Sequence, residues 1–347
     1  MLSQASLDDL RSRLEGASCP AFLFDNDADG LCSFLIARRT LGKGIGIPVR
    51  SYPALDVGYC EQAVLQGADL LVVLDKPFLS PESVQFAKER SLPLIVLDHH
   101  AVTKPDFSVD FPLYIEYNPA LLSGKARSAE PVSYLMYRAL GRTEDLWLLI
   151  TGCIADHYLP QEWNSFTTSF PALGGTVQGP FDAYYATRIG TLAQSLNFGL
   201  KDSLSHVRSL IRFLIECSDP AQVLSDNAPS SFQEKTAFLQ VELERILGER
   251  EVRGKVLVVQ YGGATSMSAD VANKLSYLYP GMFVFVAYRK GGLTNISLRG
   301  KGVKLVFERI AQGFPGIMGG GHDDAIGGRI TTSEVERFIT ALVEEVA

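Results

Sequence analysis

The sequence predicts an α/β protein. It divides into an N-terminal parallel-sheet domain, a helical connector and a smaller C-terminal α/β domain with a mixed sheet. Three observations predict this. AFLF (21–24), DLLVVL (69–74) and LPLIVL (92–97) are short apolar runs, of the kind that form strands buried on both faces. The stretches between them have helical period and suit crossover connections. After residue 250 strand-like and helix-like runs alternate again, and 347 residues exceed what one core usually fills.

Along the chain, residues 130–157 read as two helices, with Glu130–Pro131 opening the first. The segment 161–180 is rich in Gly, Pro, Ser and Thr and reads as a loop or domain boundary. Residues 181–250 are mostly helical in period. A second α/β unit follows: strands at KVLVVQY (255–261), MFVFVAY (282–288) and NISLR (295–299), and helices near 268–279, 303–313 and 333–346. The expected domains are 1–165, 166–250 and 251–347.

Hydrophobic residues make up 46% and charged residues 20%, a globular composition rather than a disordered one. The net charge is −7, which argues against a protein that grips long duplexes through many phosphates and leaves room for a local grip. Charge is uneven: residues 289–329 hold seven Lys/Arg against three acids. The C-terminal unit is therefore the better place to hold an anion. Five scattered cysteines without a C-x-x-C pair predict a reduced compartment and no zinc cluster. The start, MLSQASLDDLRSRL, carries acids early, and no apolar run approaches the ~20 residues of a membrane span. The expectation is a cytoplasmic protein with no membrane partner.

Each of the three apolar strands runs into acid. AFLF continues as Asp25-Asn26-Asp27-Ala28-Asp29-Gly30, DLLVVL as Asp75, and LPLIVL as Asp98-His99-His100. In an open parallel sheet the ligand site lies at the carboxyl ends of the strands, so these groups converge on one crevice. Carboxylates packed together raise one another's pKa unless cations neutralise them, and the arrangement therefore implies bound metal. Oxygen ligands with imidazole suit Mn2+, with Mg2+, Co2+ or Zn2+ as alternatives. Asp156, near the end of the apolar helix in LLITGCIADHYLP, is a fourth candidate, because burying its charge alone is costly. The D-x-D-x-D-G core also matches half of a calcium-binding EF-hand loop, but the twelfth position is Ile36 where a bidentate Glu is needed.

The set DNDADG, Asp75 in VVLDKP, Asp98-His99-His100 and Asp156 in GCIADH resembles the four motifs of the DHH phosphoesterase family. NISLRGKG (295–302) followed by MGGGHDDAIGGRI (318–330) resembles the DHH-associated domain of RecJ-like exonucleases, nanoRNases and cyclic-dinucleotide phosphodiesterases. The resemblance implies an N-terminal DHH catalytic domain and a two-metal hydrolase. Asp27 and Asp29 would each contact a different ion, Asp75 would bridge them, and His99 with Asp156 would complete one shell. Asp98 would orient a histidine, and His100 would face the substrate phosphate. Many relatives carry a histidine four residues before Asp27. Here that position is Leu23, and Asp25 is the expected substitute ligand.

Gly319, Gly320 and Gly321 would let backbone N–H groups approach a phosphate, with His322 and Arg299 adding side-chain donors. Arg127-Ser128, in a loop before the 130–140 helix, form another candidate phosphate contact. The activity implied is a manganese-dependent exonuclease on single-stranded DNA or RNA. Alternatives are a nanoRNase or cyclic-dinucleotide phosphodiesterase acting on short oligonucleotides, and, in another class, a non-catalytic replication scaffold like Cdc45. A GINS-type replication partner and a homo-oligomer are the protein partners the resemblance suggests.

Overall fold

A computed structural model describes residues 1–100, 102, 104–123 and 130–347, with backbone alone at Leu122, Ser123 and His322. The chain forms two compact units, Met1–Lys235 and Thr236–Ala347.

The first unit opens with α1 (Gln4–Gly16), β1 (Pro20–Asp25), α2 (Ala28–Leu41), β2 (Ile45–Val49), α3 (Val57–Leu65) and β3 (Leu70–Leu74). It continues with α4 (Pro81–Glu89), β4 (Leu94–Leu97), β5 (Tyr114–Tyr117), α5 (Pro119–Ser123), α6 (Val132–Leu140) and α7 (Leu146–Ala155). Then come α8 (Trp163–Ser169), α9 (Pro180–Ala186), α10 (Arg188–Gly199) and α11 (Leu204–Glu216). The unit boundary falls inside α12 (Ser230–Gly248). The second unit holds β6 (Glu251–Arg253), β7 (Val256–Tyr261), α13 (Ser268–Leu278), β8 (Phe283–Lys290), β9 (Leu293–Arg299), α14 (Val303–Ala311), β10 (Met318–His322), β11 (Ala325–Thr331) and α15 (Val335–Glu345).

The five strands of the first sheet are all parallel, in the order β2-β1-β3-β4-β5. Side chains alternate across it. Phe22, Phe24, Val72, Leu74, Ile95 and Leu97 enter one apolar layer, with α2, α6 and α7. Ala21, Leu23, Leu71, Val73, Leu94 and Val96 enter the other, with α3 and α4. This period-two sharing is why the three strands read as continuous apolar runs. β2 and β5 are the edges, and their sequences give a weaker signal. β2 contains Pro48, which an edge strand tolerates because only one side must donate.

The segment expected as a boundary contains α8, whose Trp163 and Phe166 are buried. The expected connector 166–250 is likewise not a separate layer. Ile189, Leu192, Leu196, Leu210 and Leu214 join the same core as Trp147 and Leu148 of α7. Their amphipathic faces needed an apolar surface to bury, and the first unit supplies it.

The second unit's sheet runs β10-β11-β9-β8-β7-β6, with β7 and β8 parallel and the other neighbours antiparallel, so it is mixed as expected. Its core comprises Val256, Phe285, Leu298, Phe307, Phe338 and their neighbours. Among the described residues no helix is long and apolar enough to cross a membrane.

One buried ion pair ties α2 to the helices that follow. Arg39 Nε lies 2.6 Å from Asp145 Oδ1, with side-chain exposures of 8% and 0%. Arg39 Nη1 also donates to the carbonyls of Leu214, Ile215 and Cys217, closing the end of α11. Arg39→Met strands part of the Asp145 charge and those carbonyls, and should lower unfolding stability by about 3 kcal/mol. Urea denaturation checks this; a loss below about 1 kcal/mol contradicts it.

Candidate metal centre

The order of the first sheet reverses direction between β1 and β3, and the carboxyl ends of strands beside such a switch point form a crevice. Asp27, just past β1, caps α2: its side chain accepts from the Gly30 N–H at 2.9 Å. Gly30 is required there, since a Cβ would stand 2.5 Å from the Asp25 carbonyl oxygen. Asp29, in the first turn of α2, accepts from the main-chain N–H groups of Val132 and Ser133 at 2.8 and 2.9 Å. These open α6, so a helix N-terminus fixes the Asp29 carboxylate.

Asp75 ends β3 with φ +56°, left-handed backbone that non-glycine residues seldom adopt. His157 beside Asp156 has φ +55°. Local strain of this kind persists where surrounding structure enforces it, and here it flanks the acids. His99 Nε2 lies 3.3 Å from Asp75 Oδ1 and 3.6 Å from Asp156 Oδ2. His100 Nδ1 lies 3.0 Å from Asp98 Oδ1 and 3.7 Å from Asp75 Oδ1. Asp98 and His99 are fully buried, and Asp29 and Asp75 nearly so. Asp156 sits at the C-cap of α7, where the helix end disfavours negative charge.

The electrostatics follow. Burial pushes the Asp27 and Asp29 carboxyls well above the usual range, and Asp75 adds repulsion to each. Burial also raises Asp25, while the Lys76 ammonium opposes the shift. Two groups of donors have mutually close ligand atoms: Asp75, His99 and His100, and Asp29, His99 and Asp156, all within 4.8 Å in each group. Hard carboxylate oxygens with imidazole nitrogen fit a divalent cation such as manganese or magnesium.

No protein-family model and no curated protein matches the sequence. Solved structures do match. RecJ from Thermus thermophilus in complex with Mn2+ superposes with a TM-score of 0.66 at 16% identity, over 99% of this chain and 55% of that one. A manganese-bound exonuclease RecJ gives 0.62 at 18% identity, over 99% of this chain and 94% of that one. The chain has the RecJ fold. The pGpG-specific phosphodiesterase PggH from Vibrio cholerae gives 0.50 at 14% identity, over 94% of this chain and 98% of that one. This chain thus spans about half the length of the Thermus RecJ.

Set on the RecJ fold, the motif residues gather around His99, with two departures. Asp25 and Asp27, both expected as ligands, belong to neither donor group, and Asp25 pairs with Lys76 Nζ at 2.9 Å. The glycine run, expected to bring backbone N–H groups to a phosphate, lies in a strand. Gly319, Gly320 and Gly321 lie in β10 at the sheet edge, opposite Gly328, Gly327 and Ile326. Successive N–H groups of a strand alternate in direction, so they do not form a loop-type nest. A Cβ on Gly319 would meet Phe307 at 2.6 Å and one on Gly321 the Ala325 carbonyl oxygen at 2.2 Å, while Gly320 is open. Packing therefore accounts for two of the three glycines.

Arg299 donates to Asn273 Oδ1 at 2.6 Å and to the Leu298 carbonyl at 2.7 Å. Arg127 and Ser128 lie outside the described residues, as does the side chain of His322. Two contributors were missed from the sequence. Lys76 directly follows the strand-end acid in LDKP, which was a usable signal. Asn197 of α10 accepts from the Ala28 N–H at 2.8 Å, and nothing in the sequence marked it.

Carboxyls whose folded pKa is raised contribute stability below their unfolded pKa and lose it as pH rises through the folded value. The metal-free protein should therefore lose stability toward neutral pH, and a divalent cation should restore it. Thermal melts with and without Mn2+ should show a larger rise in Tm at about pH 7.5 than at about pH 5. A Tm indifferent to Mn2+ at both contradicts the metal centre.

Proposed function

We propose that the protein is a divalent-cation-dependent phosphodiesterase, and more narrowly an exonuclease on single-stranded DNA or RNA that uses manganese. The observation that carries this is that two trios of close ligand atoms, Asp75–His99–His100 and Asp29–His99–Asp156, drawn from four separate stretches of chain, share the buried His99. Cations held there would supply positive charge where attack of water on a phosphodiester builds negative charge. The chain's own residues do the rest. Asp98 accepts from His100 Nδ1, so the imidazolium form of His100 presents its Nε2 proton to a phosphoryl oxygen. Asp29 is held by the first amides of α6, which keeps its geometry fixed. The basic surface of the second unit, with Arg299 and the exposed β10 edge, supports a role in holding a substrate phosphate.

A reading with substrates of a few nucleotides draws on the similarity to the pGpG-specific enzyme and on the net charge of −7. The two trios of close acid and histidine ligand atoms argue against a catalytically silent scaffold. Asp75→Ala should cut hydrolysis by more than about 100-fold, beyond the roughly 10–100-fold lost when an orienting group such as Asp98 is removed. Near-normal turnover of Asp75→Ala with Mn2+ contradicts the reading. End-labelled DNA and RNA oligomers, from dinucleotides to roughly thirty-mers, separate the substrates. Stepwise shortening of long strands is expected; cleavage confined to dimers selects the short-substrate enzyme.

A further inference from the structure

Among the carboxylates of the candidate centre stands one cation of the chain's own. Lys76 follows Asp75 at the end of β3, its side chain is 5% exposed, and its Nζ lies 2.9 Å from Asp25 Oδ1. Lysine is rarely buried this far unless a partner holds it, and here the partner is an acid expected to bind metal. Two further observations bear on its role. Both compact donor groups contain His99, and among the described residues neither contains Asp25 or Asp27. Leu23, two residues before Asp25, is fully buried in the apolar layer with α3 and α4 and offers no ligand atom. Asp25 is thus met by an ammonium and lies outside both sets of close ligand atoms.

We infer that Lys76 takes the place of one of the two cations that the motifs imply. Its ammonium neutralises the Asp25 side, and a single divalent ion is held at His99, with Asp29 and Asp156 of one trio and Asp75 of the other as the acids beside it. The inference rests on the reading of this site as a metal centre. A lysine ammonium is a compact point charge with three donors, so it supplies fixed positive charge that no chelator removes. It also engages Asp25 Oδ1, an oxygen that a second ion on that side would use.

The test is Mn2+ stoichiometry on the full chain after chelator stripping, by isothermal titration and electron paramagnetic resonance. The expected result is one Mn2+ per chain with the hyperfine sextet of an isolated ion. Lys76→Ala should admit a second ion and show an exchange-coupled spectrum. Two coupled ions in the unsubstituted chain, or a single ion persisting in a folded Lys76→Ala, overturns the inference and leaves the metal centre standing. No Mn2+ bound at all overturns the centre and the inference with it. Should Lys76→Ala fail to fold, the stoichiometry of the unsubstituted chain decides alone.

Discussion

Crowding of carboxylates away from water is the constraint on which the rest depends. Asp25, Asp27 and Asp29 are all pushed above the ordinary carboxylate range, chiefly by burial, with Asp75 repelling each of them. A fold does not place acids together out of water without positive charge to meet them. The chain supplies part of that charge through Lys76 and part of the stabilisation through the N-terminus of α6. A divalent cation at the proposed centre near His99 would supply the remainder.

The fold serves that constraint. A five-stranded parallel sheet with apolar layers on both faces holds the ends of β1, β3 and β4 in register. Gly30 lets α2 start against the Asp25 carbonyl, and the all-buried α7 delivers Asp156 from a distant stretch of the sequence. Arg39 and Asp145 clamp α2 against the segments that follow. Each element is ordinary in its packing. What is unusual is that their ends are charged and meet.

Much of this was legible in the sequence, for physical reasons. Strands buried on both faces leave continuous apolar runs, and the polar groups that end them stand out; hence β1, β3, β4 and the places of Asp75 and His99 are readable. β2 and β5 are short edge strands, one carrying Pro48 and the other reading YIEY, and neither has a strong pattern. The helices after α8 have the right period, but period alone does not say which core they join. The glycine run does not carry the apolar pattern of a strand, and close approach of Phe307 to Gly319 and of the Ala325 carbonyl to Gly321 is a tertiary demand that no local pattern reveals. Asp25 is expected as a substitute ligand because Leu23 offers none; its partner, Lys76, is fifty-one positions away. Such distant pairing is set by the register of β1 against β3, which no local pattern reveals.

The most direct measurement is anomalous diffraction at the manganese edge from crystals soaked in Mn2+. The account predicts a strong peak bonded to His99 Nε2 and to carboxylate oxygens of Asp29, Asp75 and Asp156. Crystals that bind Mn2+ elsewhere and show no peak among these four residues would contradict it.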